Sequence, residues 1–128
     1  FDSGLIICHK TRIRANEVAD MKVIGDVEGK NIIVVDDMID TAGTICKAAD
    51  MLMDNGAASV RAVATHAVLS GKAYENIEKS KLTEVIFTDS IPQKQPCSKI
   101  KVLPIAPMFA DTIRNIYEHK SISDHFLM

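Results

Sequence analysis

The sequence predicts an α/β domain built on a mainly parallel sheet flanked by helices. Short β-branched apolar runs recur along the 128 residues, and segments with helical apolar spacing lie between the later ones. With 47% hydrophobic residues, the chain can bury one moderate core. Strand-helix-strand alternation makes neighbouring strands parallel, because each helix carries the chain back along the sheet.

The first strand candidate is LIIC at 5–8, and MKVIG at 21–25 is a weaker one. IIVV at 32–35 consists of β-branched residues alone, the composition of a buried strand. GTICKAADMLMDN at 43–55 then sets Ile45, Ala48, Ala49 and Leu52 on one helical stripe and stops at Gly56, a residue suited to the turn past a helix end. VRAVA at 60–64 predicts the next strand, 72–80 a short polar helix, and EVIFT at 84–88 another strand. PQKQPCSK at 92–99 is an irregular connection leading to a strand at 100–105, IKVLPI. The last helix, 107–119, opens with Pro107 in its first turn and repeats Phe109, Ile113 and Ile116 at helical spacing. Met51, Met53 and Met108 are expected as core filler.

A net charge of −2 and a pI near 6.1 speak against a nucleic-acid partner bound through a basic face. Cys8, Cys46 and Cys97 are odd in number and lack metal-like CxxC spacing. Two lie in apolar runs, so reduced, buried thiols in a cytoplasmic protein are expected. No apolar stretch approaches the length of a membrane span, so no membrane partner is expected. The chain lacks an initiator Met and reaches its first strand-like run after FDSG, as though it started inside something larger.

Chemistry concentrates at IIVVDDMIDTAGT, residues 32–44. Asp36, Asp37 and Asp40 crowd the end of a strand, where their mutual repulsion needs an offset. Thr41, Ala42, Gly43 and Thr44 lead into a helix whose first amides and positive end suit an anion, and Gly43 allows close approach. Carboxylates would repel that anion, so Asp36 and Asp37 suit vicinal hydroxyls or a divalent cation instead. A sugar phosphate has both ends. A helix N-cap would explain one aspartate and not three. An acidic pocket of the response-regulator receiver kind needs a further Asp at a later strand end, where Asp89 is the candidate, and leaves the Thr-Gly-Thr turn unused. On their own, Lys10 and Arg12 could equally be a solvated basic pair beside Arg14.

VVDDMIDTAGT resembles the ribose-5-phosphate and PRPP-binding loop of type I phosphoribosyltransferase folds. HKTRIRANEVADMKVIGDVEGKNIIVVDDMIDTAGT, ATHAVLSGKAYENIEKS, VIFTDSIPQ and SISDHFLM together resemble the C-terminal part of the class I ribose-phosphate pyrophosphokinases, in the family's order. The resemblance implies a phosphoribosyltransferase-like fold, incomplete at its N-terminus. Residues 1–128 would be the C-terminal domain of a two-domain chain of roughly 300 residues, well above what one compact domain requires. The implied reaction moves pyrophosphate from Mg-ATP to the C1 hydroxyl of ribose 5-phosphate, giving PRPP and AMP, with Mg²⁺ as cofactor.

By the same resemblance, Lys10 and Arg12 are catalytic, with Thr11 where a second basic residue is usual, on a loop able to close over substrate. Arg12, Asp36, Asp37, Asp40, Thr41, Ala42, Gly43 and Thr44 bind ribose 5-phosphate. Asp36 takes the ribose hydroxyls, Asp37 supports it, and 40–44 enclose the phosphate. No metal ligand is assigned. The ATP site would lie mostly in the absent part, the parent would be a homo-oligomer, a hexamer by family, and the piece alone would be inactive. A sheet without its first strand would expose an edge and an apolar helix face, so self-association is expected. A phosphoribosyltransferase, or a non-catalytic regulatory relative of the synthetase, are the alternatives; intact Lys10 and Arg12 argue against the latter.

Overall fold

The computed structural model describes residue 4, residues 7–14 and residues 17–123, with the backbone alone for 7–14 and 17–24. β1 (Ile7–Arg14) and β2 (Glu17–Ile24) pair antiparallel in a two-stranded sheet of their own. Only two positions separate them, too few for a parallel crossover, so they pair antiparallel, in a sheet separate from the parallel one. The expected strands at 5–8 and 21–25 are thus parts of one longer hairpin, positions 5 and 6 lying outside the described residues.

The main sheet holds β3 (Asn31–Ile39), β4 (Ser59–Ala67), β5 (Glu84–Thr88) and β6 (Ile100–Leu103), in that order and all parallel. α1 (Gly43–Asp54) connects β3 to β4, α2 (Ala73–Lys79) connects β4 to β5, and α3 (Ala106–Tyr117) follows β6. β3 and β4 run well past their apolar cores, to Ile39 and Ala67. Backbone pairing carries them on, since Asp36 lies opposite Ala64 and Met38 opposite His66.

Alternate residues of the central strands, Val60, Ala62 and Ala64 of β4 with Val85 and Phe87 of β5, form one buried face. Ile45, Ala49 and Leu52 of α1 and Ile77 of α2 belong to the same core. The alanines in β4 and α1 leave room for a close helix-on-sheet approach, and the space is filled by Phe87, Leu52 and Leu82.

The other face differs from expectation. Ile33 and Val35 of β3 are 62% and 75% exposed, and α3 forms at its expected place with no buried residue. Phe109, Ile113 and Ile116 are therefore exposed, and so is Met108, which is not core filler. Met51 and Met53 are half-buried, and Met53 packs on the core. A parallel sheet is ordinarily covered on both faces, and among the described residues only one is. Cys46 is buried and Cys97 half-buried, both as free thiols, while the Cys8 side chain lies outside the described residues. No described helix is long and apolar enough to cross a membrane.

On the uncovered face Glu84 ties three strands together. Its carboxylate accepts from Lys101 Nζ of β6 at 2.6 Å and from Arg61 Nε of β4 at 2.9 Å. The Lys101 hydrogen bond, then that of Arg61, holds the Glu84 carboxyl below its ordinary value of 4.5. Folding lowers this pKa, so the stabilisation is complete above the unfolded value and is lost as pH falls through the folded one. Glu84→Gln is expected to flatten the fall in stability as pH drops below the ordinary glutamate value of 4.5, read by urea unfolding at each pH. An unchanged slope would show that the carboxylate contributes nothing there.

Candidate active site

Asp36 and Asp37 sit within β3, not beyond its end, because the strand continues to Ile39. Both side chains are exposed. The Asp37 N–H donates to Asp36 Oδ1 at 2.9 Å, and the Met38 N–H donates to Asp37 Oδ1 at 2.8 Å. Each carboxylate is therefore oriented through one oxygen by the next amide along the chain. Among the described residues β3 is an outer strand of the four-stranded sheet, so these aspartates lie on its edge near the carboxyl ends of the strands. Open parallel sheets bind their ligands at that end.

The turn after β3 is clamped from the β4–α2 connection. Leu69 N–H donates to Ile39 O at 3.1 Å and Ser70 N–H to Asp40 O at 3.1 Å. The Ser70 hydroxyl also donates to Asp40 Oδ1 in a short contact, and Asn76 Nδ2 of α2 donates to Thr41 O at 2.9 Å. One Asp40 oxygen thus holds the turn in place. Ser70 and Asn76 were not singled out from the sequence, where Ser70-Gly71 reads as ordinary turn punctuation and Asn76 as a surface helix residue.

α1 starts at Gly43, and its N-cap is Ala42, in the left-handed region at φ 59° with no capping side chain. None of the three aspartates caps this helix, which removes the cap explanation. Its first turn carries no acidic residue, so the positive end is uncompensated from within. The backbone strain falls on buried Ala42 and not on Gly43. A Cβ at Gly43 would meet only Thr41 Oγ1, at an ordinary 3.8 Å. The missing Cβ leaves the backbone at Gly43 open to close approach.

Lys10 and Arg12 lie in β1, a strand where a loop is expected, with Lys10 opposite Met21 and Arg12 opposite Val18. The register shifts on both sides of Arg12. Their side chains lie outside the described residues. Asp89, the acid a receiver pocket would need, instead accepts the Ile105 N–H at 3.0 Å just before α3. Among the described residues no three His, Cys, Asp or Glu side chains gather as a metal cage. Asp36 and Asp37 still suit Mg²⁺, which keeps several waters and binds through one or two carboxylates plus substrate oxygens.

A parallel α/β sheet with an acidic strand running into an uncapped helix start is the arrangement that the resemblance to phosphoribosyltransferase-like proteins implies. Residues 8–127 match the family model described as the phosphoribosyl synthetase-associated domain, and the chain belongs to that family. It is 51% identical to the ribose-phosphate pyrophosphokinase of Porphyromonas gingivalis over 119 residues, 93% of this chain and 38% of the relative. It is 56% identical to that of Helicobacter hepaticus over 122 residues, 95% of this chain and 40% of the relative. The crystal structure of phosphoribosylpyrophosphate synthetase from Mycobacterium smegmatis superposes with a TM-score of 0.78 at 40% identity, covering 89% of this chain and 37% of that one. The chain therefore spans about two-fifths of the length of the curated relatives it matches.

Proposed function

We propose that this chain carries the ribose-5-phosphate half of a ribose-phosphate pyrophosphokinase active site, as the C-terminal domain of a longer protein of roughly 300 residues in two domains. The observation that carries it is the acidic edge of β3 leading into the start of α1, which has no side-chain cap and no acidic residue in its first turn. One element thus offers acceptors for hydroxyls and, a few residues on, amides for a phosphate. Asp36 accepts from the ribose hydroxyls with Asp37 beside it. Thr41, Ala42, Gly43 and Thr44 enclose the 5-phosphate on a turn that Asp40, through Ser70, holds in shape. By the family resemblance Arg12 is assigned to the sugar phosphate as well.

In the full protein the C1 hydroxyl attacks the β-phosphorus of ATP. An O1–P bond forms, the bond from that phosphorus to the oxygen bridging to the α-phosphate breaks, AMP leaves with the electron pair, and the hydroxyl proton passes to solvent. Lys10 and Arg12 supply fixed positive charge where negative charge builds on the transferring group. When bound, Mg²⁺ supplies further charge neutralisation, with Asp36 and Asp37 as the residues that would hold it. ATP is the second substrate, its site formed mostly by the rest of the parent. The parent is a cytoplasmic homo-oligomer, by family a hexamer, and the free thiols Cys46 and Cys97 fit a reducing compartment.

Transfer of label from the β,γ-phosphates of ATP to ribose 5-phosphate by the full-length protein tests the activity; release of labelled phosphate to water alone would contradict it. The two ends of the site separate by calorimetry. Asp36→Asn is expected to weaken ribose 5-phosphate while sparing sulfate, whereas Thr44→Val weakens both by roughly three- to tenfold, the worth of one hydrogen bond. Equal loss of sulfate binding in both variants would show that the ends are misassigned.

A further inference from the structure

We infer that His66 is a specificity-determining residue that accepts a hydrogen bond from a sugar hydroxyl at the Asp36 end of the site; the inference rests on the sugar-phosphate assignment above. His66 is near the end of β4, opposite Met38 and two residues past Ala64, the partner of Asp36. Ordinary strand rise and spacing put its Cα about 8 Å from that of Asp36. It therefore stands at the carboxyl edge of the sheet, next to the acidic edge of β3.

The imidazole is half-buried and held from one side. Its Nδ1 lies 2.9 Å from Ser90 Oγ, just past the end of β5. Ser90 Oγ also lies 3.0 Å from Thr65 O, and Thr88 Oγ1 lies 2.7 Å from Thr65 O and 2.9 Å from Ser90 Oγ. The Ser90 N–H donates to Thr88 Oγ1 at 3.2 Å. Five polar groups of β4, β5 and the residue just past β5 thus spend hydrogen bonds on one another.

One proton arrangement that these distances allow gives the ring its role. The two hydroxyls have one proton each, and the Thr65 carbonyl has lone pairs for both. When Thr88 and Ser90 both donate to that carbonyl, Ser90 Oγ is left to accept, so Nδ1 carries the hydrogen and Nε2 is the ring's acceptor. An acceptor suits a hydroxyl and repels a phosphate oxygen. His66 then discriminates for the sugar and is indifferent to the phosphate, the division that Asp36 and the 40–44 turn already draw.

The test is nitrogen NMR of the 128-residue chain, whose four histidines can be assigned by substitution. Ribose 5-phosphate is expected to shift the amides of 41–44 and His66 Nε2 along one binding curve, with inorganic phosphate shifting the amides alone. His66→Ala should weaken ribose 5-phosphate by roughly three- to tenfold and leave phosphate unchanged. Ser90→Ala, which frees the ring without removing it, should weaken the sugar phosphate less. If ribose 5-phosphate moves the turn amides but not the His66 nitrogens, the inference is wrong and the sugar-phosphate assignment stands. If it moves neither, both fall. The wild-type titration decides even where a variant fails to fold.

Discussion

Lys10→Ala in a full-length pyrophosphokinase carrying this chain is expected to lower kcat on the order of 10²- to 10³-fold while moving KM for ribose 5-phosphate little. The asymmetry follows from what the ammonium acts on. A cation aimed at the transferring phosphoryl group meets its full complement of charge only in the transition state, so its loss raises the barrier and barely changes ground-state binding. The nearby Arg12 should behave differently. Arg12→Ala should lower kcat and also raise KM for the sugar phosphate, since one guanidinium would serve both groups. The antiparallel pairing of β1 with β2 fixes the backbone under both residues, Lys10 opposite Met21 and Arg12 opposite Val18. Steady-state kinetics of the two variants decide; near-normal kcat in Lys10→Ala would return HKTR to a solvated basic segment.

Phe87→Ala is expected to cost about 3–5 kcal/mol of stability, the range for emptying an aromatic site in a packed core. Phe87 is 1% exposed and lies opposite Ala64 in the ladder, so its ring fills the room that the small residues of β4 leave. Its partner on β4 is Ala64, whose methyl group cannot fill the gap. Ile113→Ala on α3 is the contrast. That side chain is 65% exposed, and its loss should change stability by no more than about 0.5 kcal/mol. Urea unfolding of both variants in dilute solution tests the pair. A large cost at Ile113 would mean that the apolar face of α3 is covered in solution, as the expected self-association would produce.

The order of the elements was legible because apolar period is a local property. Ile45, Ala49 and Leu52 on one stripe, and Val85 and Phe87 alternating on a strand, need no tertiary information to recognise. Two things were not local. The hairpin of β1 and β2 depends on which strand takes up which edge, and HKTRIR carries too few apolar residues to announce a strand by pattern. The extension of β3 through Asp36 and Asp37 depends on pairing with β4, which overrides the poor strand propensity of aspartate. The turn motif itself was readable because its residues are consecutive. Its support was not: Ser70 and Asn76 come from the next crossover, 30 and 35 residues beyond the positions they hold. His66 and Ser90, 24 positions apart in the chain, likewise meet only because β4 and β5 are neighbours. The exposed stripe of α3 was visible in sequence as amphipathic, and sequence could not say that the face would go uncovered among the described residues.

A crystal structure of the chain soaked with ribose 5-phosphate tests the sugar-phosphate assignment most directly. The expected density places the phosphate within hydrogen-bond distance of the backbone of the 41–44 turn and the ribose hydroxyls against Asp36. A sugar bound the other way round, with its phosphate turned from the start of α1, or density elsewhere on the molecule, would contradict it.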